Sequence, residues 1–79
     1  MLKELLSERI RKIREAYRLT QAEVADRMNI SSATYGKMER NAGHSTHDTL
    51  CKIAAAMGVS LLFMLDVEHT HYVEHQNSL

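Results

Sequence analysis

The sequence contains no proline, a single cysteine, only three glycines and no net charge. Without proline, every change of chain direction must be made by Asn, Ser, Thr or Gly, residues that cap helices or accept left-handed backbone. Cys51 has no partner for an internal disulfide, which suits a reducing cytoplasm, the location we expect. No apolar run approaches the roughly 20 residues that span a bilayer, so no membrane segment is expected. The opening "MLKELLSERI" scatters charge among its leucines, unlike the basic-then-apolar order of a signal peptide. A glycine-rich phosphate loop, a Ser/His/Asp arrangement and a carboxylate pair suited to a cleft are all missing. An enzyme is therefore disfavoured, and no cofactor is expected.

The zero charge conceals a division. Residues 1–41 hold nine Lys and Arg against six Asp and Glu, whereas residues 42–79 hold only Lys52 against Asp48, Asp66, Glu68 and Glu74. The basic half suits a phosphate-bearing partner, and the acidic half suits solvent or another protein. With 79 residues, one core is only marginally adequate, and pairing with a second copy is the common remedy.

Hydrophobic spacing predicts helices throughout the first 59 residues. Leu2, Leu5, Leu6, Ile10, Ile13 and Tyr17 recur at three-and-four intervals, placing a first helix at about residues 3–17. Thr20 is positioned to cap a second helix over 21–28 by accepting from the amide of Glu23 or its neighbour. Asn29 accepts the left-handed conformation that ends a helix, Ile30 points inward, and Ser31 caps a third helix to about Arg40. After the small, polar loop "ERNAGHST", Thr46 caps a fourth helix with Asp48 near its positive end. Leu50, Ile53, Ala54 and Met57 form its apolar stripe, and Gly58 stops it.

"VSLLFMLDVE" can be a strand or a buried helix. A strand would put Leu61, Phe63, Leu65 and Val67 on one face and Leu62 and Met64 on the other. A helix would begin at Ser60 without the acidic residue that completes a capping box. The strand is favoured, and so apolar an edge would need pairing with its copy in a second chain. The expected organisation is a domain over 1–59 and a dimerisation segment with a polar tail over 60–79.

Two short helices joined by a turn of about three residues let one brace the structure while the other protrudes, sized for the major groove of double-stranded DNA. The stretch "LTQAEVADRMNISSATYGKMER" resembles the helix-turn-helix of the lambda repressor, Cro and Xre family, and the similarity extends over residues 9–59. It implies an all-α, compact four- to five-helix domain, here with a short C-terminal β-strand, acting as a homodimeric repressor on a palindromic operator. Carried over by position, Ser32, Ala33 and Lys37 face base edges, with Thr34 and Gly36 close to the duplex. Thr20 and Gln21 meet a backbone phosphate, and Arg40, Asn41, His44 and Thr46 meet phosphates of the second strand. Arg14 and Glu39 match a structural ion pair joining the first and third helices.

Val24, Met28, Ile30, Tyr35 and Met38 read as core, with the Tyr35 hydroxyl seeking a polar partner. Arg18 and Asn41 stand where the family has glycine, and His47 where it has an apolar residue. The segment after helix four is similar in placement to the dimer-forming strand of HipB-like antitoxins, so a toxin or other protein partner is one version of the function. The alternative is a protein-binding adaptor on the same fold. His69, His71 and His75 could space a metal, but nothing completes a ligand set and they read as solvated. Cys51 reads as a small buried apolar group.

Overall fold

The structure, a computed structural model, describes residues 2–65, with side chains from residue 6 onward. Its five helices are α1 (Leu2–Ala16), α2 (Gln21–Met28), α3 (Ser32–Arg40), α4 (His47–Met57) and α5 (Leu61–Leu65), with a single 3-10 turn at Ala42–His44. The expected all-helical fold is what forms.

Each boundary has a local chemical cause. Thr20 Oγ1 accepts from the Glu23 amide at 3.0 Å, and the Glu23 carboxylate accepts from the Thr20 amide at 2.7 Å, a reciprocal cap for α2. Asn29 closes that helix at φ 63°, its amide donating back to the carbonyls of Ala25 and Asp26. Ser31 accepts from the Thr34 amide at 3.1 Å to start α3, so the α2–α3 connection is the three residues 29–31. Thr46 accepts from the Thr49 amide at 3.2 Å to start α4, and Gly58 ends it at φ 78°. Gly58 is the one glycine here whose backbone requires it. Arg18 also adopts left-handed backbone, at φ 58°, where an L-residue carries a cost of about 1–2 kcal/mol.

The core gathers one stripe from every helix. Ile10, Val24, Tyr35, Ile53 and Met64 are its largest fully buried side chains, with Ile13, Ala25, Ala42, Leu50, Ala54 and Met57 around them. Leu6, Met28, Ile30 and Met38 pack against it. Tyr17 departs from the expected stripe, being 52% exposed. α1 stops at Ala16, and the turn through Arg18 carries Tyr17 off the buried face.

The C-terminal segment is a correction. Residues 61–65 form a helix, and among the described residues there is no strand. Ser60 Oγ accepts from the Phe63 amide at 3.1 Å, so half of a capping box suffices to begin α5. The physical reason is packing: helical spacing sends Met64 into the core with Leu61 and Leu65 beside it, while Leu62 and Phe63 remain exposed. A helix also satisfies its backbone internally, which a lone strand cannot do. Its last turn leaves carbonyls open, and Arg9 reaches over from α1 to donate to Phe63 O at 2.7 Å and Met64 O at 3.2 Å. The Arg9 guanidinium also lies 5.0 Å from the centre of the Phe63 ring. Val67 and the histidines at 69, 71 and 75 lie outside the described residues.

Candidate nucleic-acid interface

Helix α3 has two unlike faces. Tyr35 and Glu39 point into the protein, at 0% and 4% exposure, whereas Ser32, Ala33, Thr34 and Lys37 are exposed. The exposed set clusters at the N-terminal end, where the helix dipole is positive and early amides lack intrahelical partners. Ser31 organises this end twice over: it accepts from the Thr34 amide, and its hydroxyl donates to Thr34 Oγ1 at 2.8 Å.

What holds α3 in place is a buried polar network centred on Glu39. Its carboxylate accepts from Arg14 Nε at 2.8 Å, Arg14 Nη2 at 3.2 Å, Gln21 Nε2 at 3.2 Å and the Tyr35 hydroxyl at 2.7 Å. The Glu39 backbone carbonyl accepts from Ser7 Oγ at 2.7 Å, and Arg14 Nη1 donates to Leu19 O at 2.9 Å. One carboxylate thereby ties α1, α2 and α3 together, and among the described residues no buried side-chain polar atom is left without a partner. Burial resists ionisation of Glu39, but hydrogen bonds from Arg14, Tyr35 and Gln21 outweigh it and hold the carboxyl below its ordinary value. The hydrogen bond to Glu39, opposed by burial, raises Arg14, and burial followed by the Glu39 hydrogen bond raises the Tyr35 phenol. The network is thus a closed Arg⁺–Glu⁻ pair with neutral donors, and it contributes no net charge to the surface.

The N-terminus of α2 abuts the start of α3. Arg18, Thr20, Gln21, Ala22 and Ser32 line one open depression, so two of the residues expected at phosphate, Thr20 and Gln21, share a surface with the first residue expected at bases. Gln21 is half-buried, with one amide proton committed to Glu39. A family model described as helix-turn-helix matches residues 10–64. The chain belongs to the helix-turn-helix family. It is also 39% identical over 56 residues to the cryptic phage CTXphi transcriptional repressor RstR of Vibrio cholerae serotype O1. That alignment covers 71% of the chain and 50% of the relative, so the chain spans about half the length of the curated relative it matches. No solved structure matches it.

Within the helix-turn-helix unit, the expected site residues divide. Ser32, Ala33, Thr34 and Lys37 lie on the open face with Thr20 and Gln21 alongside. Gly36 does not share that exposure: it is buried, covered by the side chains of Gln21 and Arg40. Asn41 is exposed, and its amide donates to Lys37 O at 3.0 Å, closing the end of α3. His44 ends the 3-10 turn and Thr46 caps α4; both are exposed, and neither bonds to Gln21 or α3 among the described residues.

Sequence reasoning missed three features. Arg18 stands on the rim of the α2 depression, and a basic residue just before a helix cap was its signal. Tyr35 joins the Glu39 network, foreshadowed by the four-residue spacing that stacks the two on one helix face. Cys51 is only partly buried, its Sγ 3.7 Å from the His47 ring, because His47 at the exposed start of α4 lies one turn before it. Among the described residues, no group of three His, Cys, Asp or Glu side chains is placed to hold a metal, and no helix is long and apolar enough to cross a membrane.

Proposed function

We propose that this chain is a sequence-specific DNA-binding transcriptional repressor that lays the N-terminal half of α3 into the major groove. The observation that carries the reading is the division of α3 itself, with Tyr35 and Glu39 locked beneath while Ser32, Ala33, Thr34 and Lys37 stand free. Lys37 offers a donor to guanine O6 or N7, and the Ala33 methyl offers contact to a thymine methyl, each worth about 1–3 kcal/mol of discrimination at best. Serine and alanine read bases less sharply than Asn, Gln or Arg, so groove shape supplies part of the specificity. Thr20 and Gln21 meet phosphate on one side, and Arg40, Asn41, His44 and Thr46 extend the backbone contacts on the other. The name of the Vibrio relative, a transcriptional repressor, supports the direction of regulation.

The working form is a homodimer on a palindromic site, with half-sites about one helical turn apart. Leu62, Phe63 and Tyr17 are exposed at 66%, 41% and 52%, which favours a protein contact through the α5 side and keeps a partner-binding role as the second reading. Binding of duplex DNA taken from upstream of the chain's own gene tests both. Two chains per site are expected, with Lys37→Ala weakening the preferred sequence about tenfold against random DNA. Unchanged discrimination after Lys37→Ala together with unchanged affinity after Gln21→Ala would overturn the groove assignment in favour of the partner-binding role, and one chain per site would overturn the dimer.

A further inference from the structure

Among the described residues, the exposed large hydrophobics are Tyr17, Leu62 and Phe63. Two of them share one groove. Tyr17, just beyond α1, and Phe63, in α5, line a depression of about 290 Å³ whose α1 wall is formed by Arg9, Lys12, Ile13 and Ala16. Hydrophobic side chains scattered singly over a surface need no explanation, but apolar groups gathered on one concave face mark a contact. Both walls are fixed. Ile13 belongs to the core, and Arg9 ties α5 to α1 by donating to Phe63 O at 2.7 Å, with its guanidinium 5.0 Å from the centre of the Phe63 ring. The rim is positive. Glu8, which also lines the groove, lies 3.7 Å from Arg11, whereas Lys12 is exposed and forms no ion pair with another described residue.

The sequence supplies an occupant. Past α5 the chain continues with "DVEHTHYVEHQNSL", residues 66–79, which hold Asp66, Glu68 and Glu74 and no Lys or Arg, and which set Tyr72 beside Val73. An aromatic and a β-branched residue within an acidic stretch match a groove with aromatic walls and a positive rim. The connection is long enough. Seven residues separate Leu65 from Tyr72, a reach of up to about 23–25 Å, while the α1 wall from Arg9 to Ala16 is only about 10 Å long. Closing so short a loop costs little, and it holds the segment near the groove at an effective concentration in the millimolar range, above that of a second copy in solution.

We infer that residues 66–74 of this chain seat in its own α1–α5 groove, with Tyr72 and Val73 against Tyr17 and Phe63 and the acidic side chains toward Lys12. The seat acts as a cover: a protein partner approaching the α5 side competes with this segment for the same apolar surface. It stands apart from the DNA-binding reading, because the groove shares no residue with the exposed face of α3 or the depression at the start of α2.

Nuclear Overhauser measurements on the full chain test this directly. Contacts are expected between the Tyr72 ring and the side chains of Ile13 and Phe63, and they should persist on dilution because they form within one chain. In an equal mixture of isotope-labelled and unlabelled chains, no such contact should cross from one chain to the other. Tyr72→Ser should move the amide resonances of Lys12, Ala16 and Phe63, and Lys12→Glu should move those of residues 72–74. Neither Lys12 nor Tyr72 belongs to the described core, so both variants should keep the melting midpoint of the unaltered chain. Added salt should carry the unaltered spectrum toward that of Tyr72→Ser, since the attraction to Lys12 is exposed and therefore screened. Absence of contacts between Tyr72 and the groove, with Tyr72→Ser moving only its neighbours in sequence, would overturn the seat. Contacts found only between differently labelled chains would overturn it as well, assigning the groove to the same segment of a second copy.

Discussion

Removing the Glu39 carboxylate exposes how the helix-turn-helix is held. Glu39→Ala deletes an acceptor of four hydrogen bonds, between 2.7 and 3.2 Å, to Arg14, Gln21 and Tyr35. The Arg14 and Glu39 side chains are only 10% and 5% exposed, so water cannot readily replace what is lost. An uncompensated buried guanidinium costs about 3–5 kcal/mol. A chain of this size has about 4–12 kcal/mol of total stability, so the variant keeps a fraction of it. At about 4–8 °C per kcal/mol, the melting midpoint should fall by roughly 12–40 °C. Urea unfolding followed by far-ultraviolet circular dichroism, repeated at several protein concentrations to separate any effect of association, measures the loss. Replacing both partners, Arg14→Met with Glu39→Met, should cost less than Glu39→Ala alone, because no charge is stranded even though Tyr35 loses its acceptor. A Glu39→Ala cost below about 1 kcal/mol, or a double variant less stable than the single, would refute the reasoning, since either would mean that water solvates the network.

Two further outcomes follow from the same structure. Arg18→Gly relieves left-handed backbone at φ 58° and should raise the melting midpoint by several degrees, for a gain of up to about 1 kcal/mol; a midpoint that falls would show that the Arg18 side chain, not its backbone, governs this turn. Acid should destabilise the fold through Glu39, whose carboxyl is held below its ordinary 4.5. A depressed carboxyl stabilises fully above its unfolded value and loses that contribution as pH falls through the folded one. Stability is therefore flat near neutrality and declines below about pH 4.5, and Glu39→Gln should flatten that decline. Equal acid sensitivity in Glu39→Gln would move the effect elsewhere, for instance to Glu23, lowered by the backbone and side-chain hydrogen bonds of Thr20.

Much of this protein was decided by chemistry within four residues along the chain. Thr20, Ser31 and Thr46 cap helices, and Asn29 and Gly58 end them, because a hydroxyl three residues before an amide or a residue tolerant of left-handed backbone works without help from distant parts. That placed the α2–α3 turn, and with it the exposed end of α3, from sequence alone. Residues 61–65 could not be placed the same way, because a short apolar run fits either a strand or a helix until something receives its side chains. The pocket that buries Met64 and the Arg9 donors over the end of α5 came from other helices. The same holds for Gly36, whose neighbours approach from α2 and the end of α3, and for the Tyr35 hydroxyl, whose acceptor Glu39 is held in place by Arg14 of α1 and Gln21 of α2. Hydrogen bonds that close within one turn are written in local order, whereas burial and the pairing of distant charges exist only after the helices have met.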